Sequence, residues 1–143
     1  MSVLLDTHIW LWWLLGSQRL SPRERTGLDS LAEAGDLTLA AMSLWEAQLL
    51  HAKGRLQLDR PFDRWIRAAA ATRLIQVLPL DVDVVIRLNA LPSHFRGDPA
   101  DRLIVATCLC HGLLLATHDK AIQNSSLVTI WPTSRQAGRS VSG

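Results

Sequence analysis

The chain has 143 residues, 48% hydrophobic and 20% charged, which is enough to bury one core without disulfides, and no second domain is expected. A net charge of +2 does not by itself announce a nucleic-acid binder. The longest apolar runs, Ile9 to Leu15 and Leu103 to Cys110, fall well short of the roughly 20 residues of a membrane span.

The first apolar stretch, Val3-Leu4-Leu5, reads as a short strand buried on both faces, near 2 to 6, and Asp6 closes it. Asp6 and His8 interrupt this stretch where a secretory leader needs unbroken apolar residues, so a cytoplasmic protein with no membrane contact is expected. A helix follows over Thr7 to Leu15. It bunches three of the six Trp residues: positions 10 and 13 share a face and 12 does not, so at least one leaves the domain's own core. An exposed Trp is a common interface anchor, which makes a homodimer or another protein partner one reading and simple packing the other.

Ser21-Pro22-Arg23-Glu24 is a capping box with Pro at the first helical position, and Gly35 ends that helix after Ala34. A strand at 37 to 41 precedes a helix capped by Ser43, with Glu46 in its first turn. Lys53, Arg55, Arg60, Arg64, Arg67 and Arg73 then crowd a stretch whose only acids are Asp59 and Asp63. A helix is expected over about Pro61 to Arg73, and Arg60, Arg64 and Arg67 have the spacing of one helical face, either merely solvated or facing phosphate or an acidic partner.

A strand at 75 to 78, a helix at 81 to 90 and the loop Pro92 to Gly97 come next. Asp98 and Pro99 open a helix that runs to His111 and stops at Gly112. A strand at 113 to 116, a short helix after Asp119 and a strand at 127 to 131 complete the pattern. Short apolar strands alternating with helices predict an α/β fold, a parallel sheet with helices on both faces. Residues 134 to 143 have little to bury and are expected to form a disordered tail, leaving one domain over 1 to 133.

Four acids occupy the same place in this pattern. Asp6 and Asp119 follow buried strands, and Glu46 and Asp101 lie in the first turns of helices that begin at the carboxyl edge of a parallel sheet, where ligands bind. Carboxylates gathered this way raise one another's pKa unless a cation offsets them. An all-oxygen anionic site suits Mg²⁺, with Mn²⁺ as an alternative, and metal-assisted phosphodiester hydrolysis follows.

Each acid also has a plainer explanation. Ser43-x-x-Glu46 is itself a capping box, Asp98 is a good N-cap, and Asp101 suits the helix dipole. Thr7 and Thr117 flank acids and either hold a metal-bound water or cap a turn. His8 and His118 are ligands, proton carriers or simply half-exposed. Cys108 and Cys110 point to different helix faces and read as buried thiols, with no second Cys/His pair for zinc. No G-x-G-x-x-G, P-loop or G-x-S-x-G motif occurs.

The segments Val-Leu-Leu-Asp-Thr-His-Ile-Trp-Leu-Trp (3 to 12), Ser-Leu-Trp-Glu (43 to 46), His-Phe-Arg-Gly-Asp-Pro-Ala-Asp-Arg-Leu-Ile-Val-Ala-Thr (94 to 107) and Ala-Thr-His-Asp-Lys-Ala-Ile (116 to 122) resemble PIN-domain ribonucleases of the VapC toxin type. The resemblance covers Val3 to Trp131. It implies a three-layer α/β/α sandwich, Mg²⁺-dependent endonucleolytic cleavage of RNA, and neutralisation by a cognate antitoxin. By position, the family's acidic set falls on Asp6, Glu46, Asp101 and Asp119, with Asp98 as an extra acid. Asp6, Asp101 and Asp119 are then the expected metal ligands. Relatives often carry Lys four residues after the helix Glu, where this chain has Leu50, so Lys53, Arg55 or Arg102 is expected to contact RNA instead. A PIN-like module that binds RNA or protein without cleaving, and a small-molecule phosphatase, are the competing readings.

Overall fold

The computed structural model describes residues 1–132, so the expected tail at 134 to 143 lies outside the described residues. Five strands, β1 (Val3–Leu5), β2 (Leu37–Ala40), β3 (Gln76–Leu78), β4 (Leu114–Ala116) and β5 (Thr129–Ile130), form one sheet in the order β3-β2-β1-β4-β5. Every pairing is parallel, with Val3 opposite Leu37 on one side and Leu114 on the other.

Among the described residues, seven helices join the strands: α1 (Thr7–Leu15), α2 (Pro22–Ala34), α3 (Ala41–Ala52), α4 (Phe62–Ala69), α5 (Val82–Asn89), α6 (Pro99–His111) and α7 (Lys120–Asn124). Side chains alternate across a strand, and the two cores follow that period. Val3, Leu5, Leu37 and Leu39 pack with Trp10, Leu28 and Trp65 on one face of the sheet. Leu4, Ala40 and Leu115 pack with Val84, Ile104 and Ile122 on the other. Burial on both faces is why the strands read as continuous apolar runs, and the three-layer α/β/α expectation holds.

The chain builds outward from central β1 to β2 and β3, then crosses to the other side of β1 for β4 and β5. The carboxyl ends of β1 and β4 therefore flank the point where strand order reverses, the usual ligand crevice of such sheets. Local signals set several boundaries as expected. Ser21 Oγ accepts from the Glu24 N–H at 3.0 Å while Glu24 Oε1 accepts from the Ser21 N–H at 2.9 Å. Gly112 ends α6 at φ 63°, a left-handed conformation that glycine adopts without penalty.

Three expectations need correction. The third helix starts at Ala41, directly off β2, with Ala40 as an N-cap that offers no side-chain bond; Ser43 lies inside the helix and caps nothing. The fourth ends at Ala69 rather than Arg73, because the chain folds back through bonds from Leu74 and Ile75 N–H to Ala71 O, delivering Ile75 to the core. Arg60 thus precedes α4 and contacts Asp59 at 3.3 Å instead of sharing a helical face with Arg64 and Arg67. The last strand is limited to Thr129–Ile130.

Trp10 is fully buried, while Trp12 and Trp13 are half-buried, and the Trp13 indole N–H donates to Asp29 Oδ1 of α2 at 2.9 Å. Beyond β5, Trp131 lies against α2 where Gly27 has no side chain; a Cβ there would sit 2.7 Å from Trp131 Cζ2.

Candidate active site

Asp6 follows β1 at the start of α1, yet its carboxylate does not cap that helix. It is 7% exposed, and Thr117 Oγ1 donates to its Oδ2 at 2.6 Å. Thr117 Oγ1 also accepts from the Asp119 N–H at 3.0 Å, so one hydroxyl ties the end of β1 to the end of β4. Asp119 caps α7, its Oδ1 accepting from the Ile122 N–H at 2.9 Å.

Glu46 is held from the other side. Thr7 Oγ1 donates to Glu46 Oε1 and lies 2.7 Å from the fully buried Ser43 Oγ. Both threonines therefore touch acids directly, and the capping-box explanation of Glu46 is excluded because Ser43 is turned toward Thr7. Asp98 caps α6 by accepting from the Asp101 N–H at 2.8 Å, which leaves the Asp101 carboxylate unengaged among the described residues.

Asp6, Glu46, Asp98, Asp101 and Asp119 line one open pocket of about 370 Å³. None of the five forms an ion pair among the described residues. Burial pushes the Asp6 carboxyl above its usual range, opposed by the Thr117 hydrogen bond and reinforced by Asp119. Burial likewise raises Glu46, with Asp6 and Asp98 adding repulsion and the Thr7 hydrogen bond opposing. Asp101 is pushed up to about 7 by burial and by the charges of Asp98, Asp6, Asp119 and Glu46.

This crowding suits a cation, and an all-carboxylate donor set suits a hard divalent one. Among the described residues no three His, Cys, Asp or Glu side chains stand as a ready-made coordination shell. The donor set therefore fits an ion that keeps several waters.

The remaining lining is His8, Trp12, Arg19 and His118. His118 Nε2 lies 2.6 Å from Glu24 Oε2, tying the end of β4 to α2. Arg19 and Trp12 were not singled out as site residues from sequence; Arg19 sits in the turn between α1 and α2, and no local pattern marks it. The three basic candidates fall elsewhere. Arg102 turns its guanidinium to Phe95 O and lies 6.0 Å from the Phe95 ring, bracing the loop that leads to Asp98. Lys53 caps the far end of α3 from its Ala41 start, with Arg55 just beyond, and neither lines the pocket. Cys108 is buried, its thiol pushed up to about 12 by that burial, and Cys110 is free and half-buried.

The pattern of the PIN domain matches residues 3–125. The chain is 37% identical over 134 residues to Ribonuclease VapC22 of Mycobacterium tuberculosis, covering 91% of this chain and 98% of that protein. In structure it is similar to FitAcB from Neisseria gonorrhoeae, with a TM-score of 0.66 and 28% identity over 90% of this chain and 95% of that one. A toxin-antitoxin complex from Klebsiella pneumoniae contains a chain of the same fold, with a TM-score of 0.64 and 20% identity over 89% and 95%. Carboxylates at the sheet's switch point, the matched pattern and the near full-length identity agree: this chain belongs to the PIN-domain family.

Proposed function

We propose that the chain is a divalent-metal-dependent endoribonuclease, acting as the toxin of a toxin-antitoxin pair, with Mg²⁺ as its metal and Mn²⁺ as a substitute. The observation that carries this reading is the convergence, at the switch point of the sheet, of five carboxylates that form no ion pair among the described residues. The likeness to a named ribonuclease of the VapC type supports it.

In this reading Asp6, Asp101 and Asp119 hold the ion directly or through water. Bound there, the ion supplies Lewis-acid activation of water and neutralises charge on the attacked phosphate. Glu46 orients the attacking water and takes its proton. Its raised pKa moves it toward the working pH of a general base, and the Thr7 hydroxyl fixes one of its oxygens. Thr117 fixes Asp6 relative to Asp119. Asp98 sets the start of α6 and thereby the position of Asp101.

Single-stranded or looped RNA is the favoured substrate, since an A-form duplex offers side chains little to read. Lys53 and Arg55 are exposed at the end of α3 and serve as phosphate contacts for RNA running beyond the pocket. Trp45, 55% exposed beside Glu46, and the α5 residues Val82, Val85 and Ile86 offer apolar surface for the antitoxin and a second copy. Among the described residues no helix is long and apolar enough to cross a membrane.

The test is gel analysis of transfer and ribosomal RNAs incubated with wild type and Asp6→Asn, in Mg²⁺, in Mn²⁺ and in excess EDTA. Discrete metal-dependent fragments from wild type alone are the expected result. Intact RNA in every lane, from folded protein free of antitoxin, would instead favour a PIN-like module that binds without cleaving.

A further inference from the structure

Building on the nuclease reading, we infer that the non-acidic lining of the pocket is a nucleotide subsite, where the His8, Trp12 and His118 rings take one unpaired RNA base and Arg19 takes its adjoining phosphate. Three separate segments deliver these side chains. His8 and Trp12 stand four residues apart on α1 and so share a face; Arg19 comes from the α1 to α2 turn, and His118 from the end of β4.

Trp12 is the centre of the group. The His8 ring lies 5.7 Å away at 46°, the His118 ring 5.3 Å away at 55°, and the Arg19 guanidinium 5.5 Å from the Trp12 ring. Rings tilted at these angles do not cover one another flat, so aromatic surface remains open to the pocket that they line. His8, Arg19 and His118 are all exposed, and Trp12 is only half-buried. Core packing accounts for part of Trp12, which lies against the core, but not for the three exposed side chains gathered around it.

Arg19 forms no ion pair among the described residues although it lines the same pocket as five carboxylates. Its forked donors are available to phosphate, which guanidinium groups bind in a bidentate manner. Open rings beside an unpaired guanidinium are the means by which proteins hold single strands, because every base has a face to stack while the cation tracks the backbone. The acids next to this cluster would then receive the neighbouring phosphodiester.

The test uses the Asp6→Asn protein, so that RNA survives, and follows by fluorescence anisotropy a short random single-stranded RNA and an abasic strand with the same sugar-phosphate backbone. Trp12→Leu keeps apolar bulk and removes the ring, and is expected to weaken RNA binding about tenfold with abasic binding unchanged. His8→Ala, at an exposed position, should shift RNA binding in the same direction and serves if Trp12→Leu does not fold. Arg19→Gln should weaken both strands alike. Equal affinity of the parent for RNA and abasic strand, or ring variants that bind RNA as the parent does, would overturn the subsite in favour of a protein partner on this wall. Wild-type cleavage is scored separately: base preference without cleavage strikes only the nuclease reading, and cleavage without base preference strikes only the subsite.

Discussion

Asp101→Asn should stabilise the metal-free protein while removing its response to metal. The Asp101 carboxyl is shifted from 3.8 to about 7, about 3 units at about 1.4 kcal/mol each, or about 4 kcal/mol if unscreened. Half of the group remains in solvent, so screening cuts this to about 1–2 kcal/mol. Loss of a favourable charge in the first turn of α6 takes back about 0.3–1 kcal/mol. With the folded value raised, the folded protein keeps a proton that the unfolded chain has released. Wild-type stability from this group is therefore full below the unfolded value and is lost as pH rises to the folded one. The advantage of Asn should be greatest near pH 8 and shrink toward zero by about pH 4. Thermal melts in EDTA should show a rise of up to about 5 °C at the alkaline end. Added Mn²⁺ should raise the wild-type melting temperature and leave the variant nearly unmoved. A variant that melts lower than wild type in EDTA at pH 8 would refute the electrostatic account of the site.

Thr7→Val removes the hydroxyl between Glu46 and Ser43. It should cost about 1–3 kcal/mol for the unsatisfied buried group and lower kcat for RNA more than it raises KM, measured by single-turnover cleavage. Gly27→Ala would ordinarily favour a helix interior, but its Cβ meets the Trp131 ring, so urea denaturation should show a loss of about 1–3 kcal/mol. Arg102→Gln releases the Phe95 carbonyl and should weaken Mn²⁺ binding in titration calorimetry, with little change in RNA affinity in EDTA. The reverse pattern would support Arg102 as an RNA contact.

Much of the acidic site was legible because its positions are local. Asp6 ends the apolar triplet that becomes β1, and Asp98-Pro99 announces the start of α6 whatever lies around it. What escaped were contacts made only by packing. Ser43 reads as a cap, but α3 leaves β2 without one, and its hydroxyl instead meets Thr7 from 36 residues away in sequence. Nor does the sequence show that burial of Phe95 brings its carbonyl within reach of the Arg102 guanidinium. Arg19 lies in a turn with no periodic signal, and it reaches the pocket through its place over Trp12, whose ring meets His118 beyond the end of β4.

The order of strands also governs when this chemistry comes into being. A chain growing from its N-terminus carries Asp6 and Glu46 from the outset, but β4 must be made and inserted beside β1 before Asp119 joins them. No fragment ending before that strand gathers the full charge. The full mutual repulsion among the acids therefore belongs to the finished fold alone. A newborn chain lacks the complete acidic pocket until its second half arrives, because the last acid to join comes from the strand that completes the centre of the sheet.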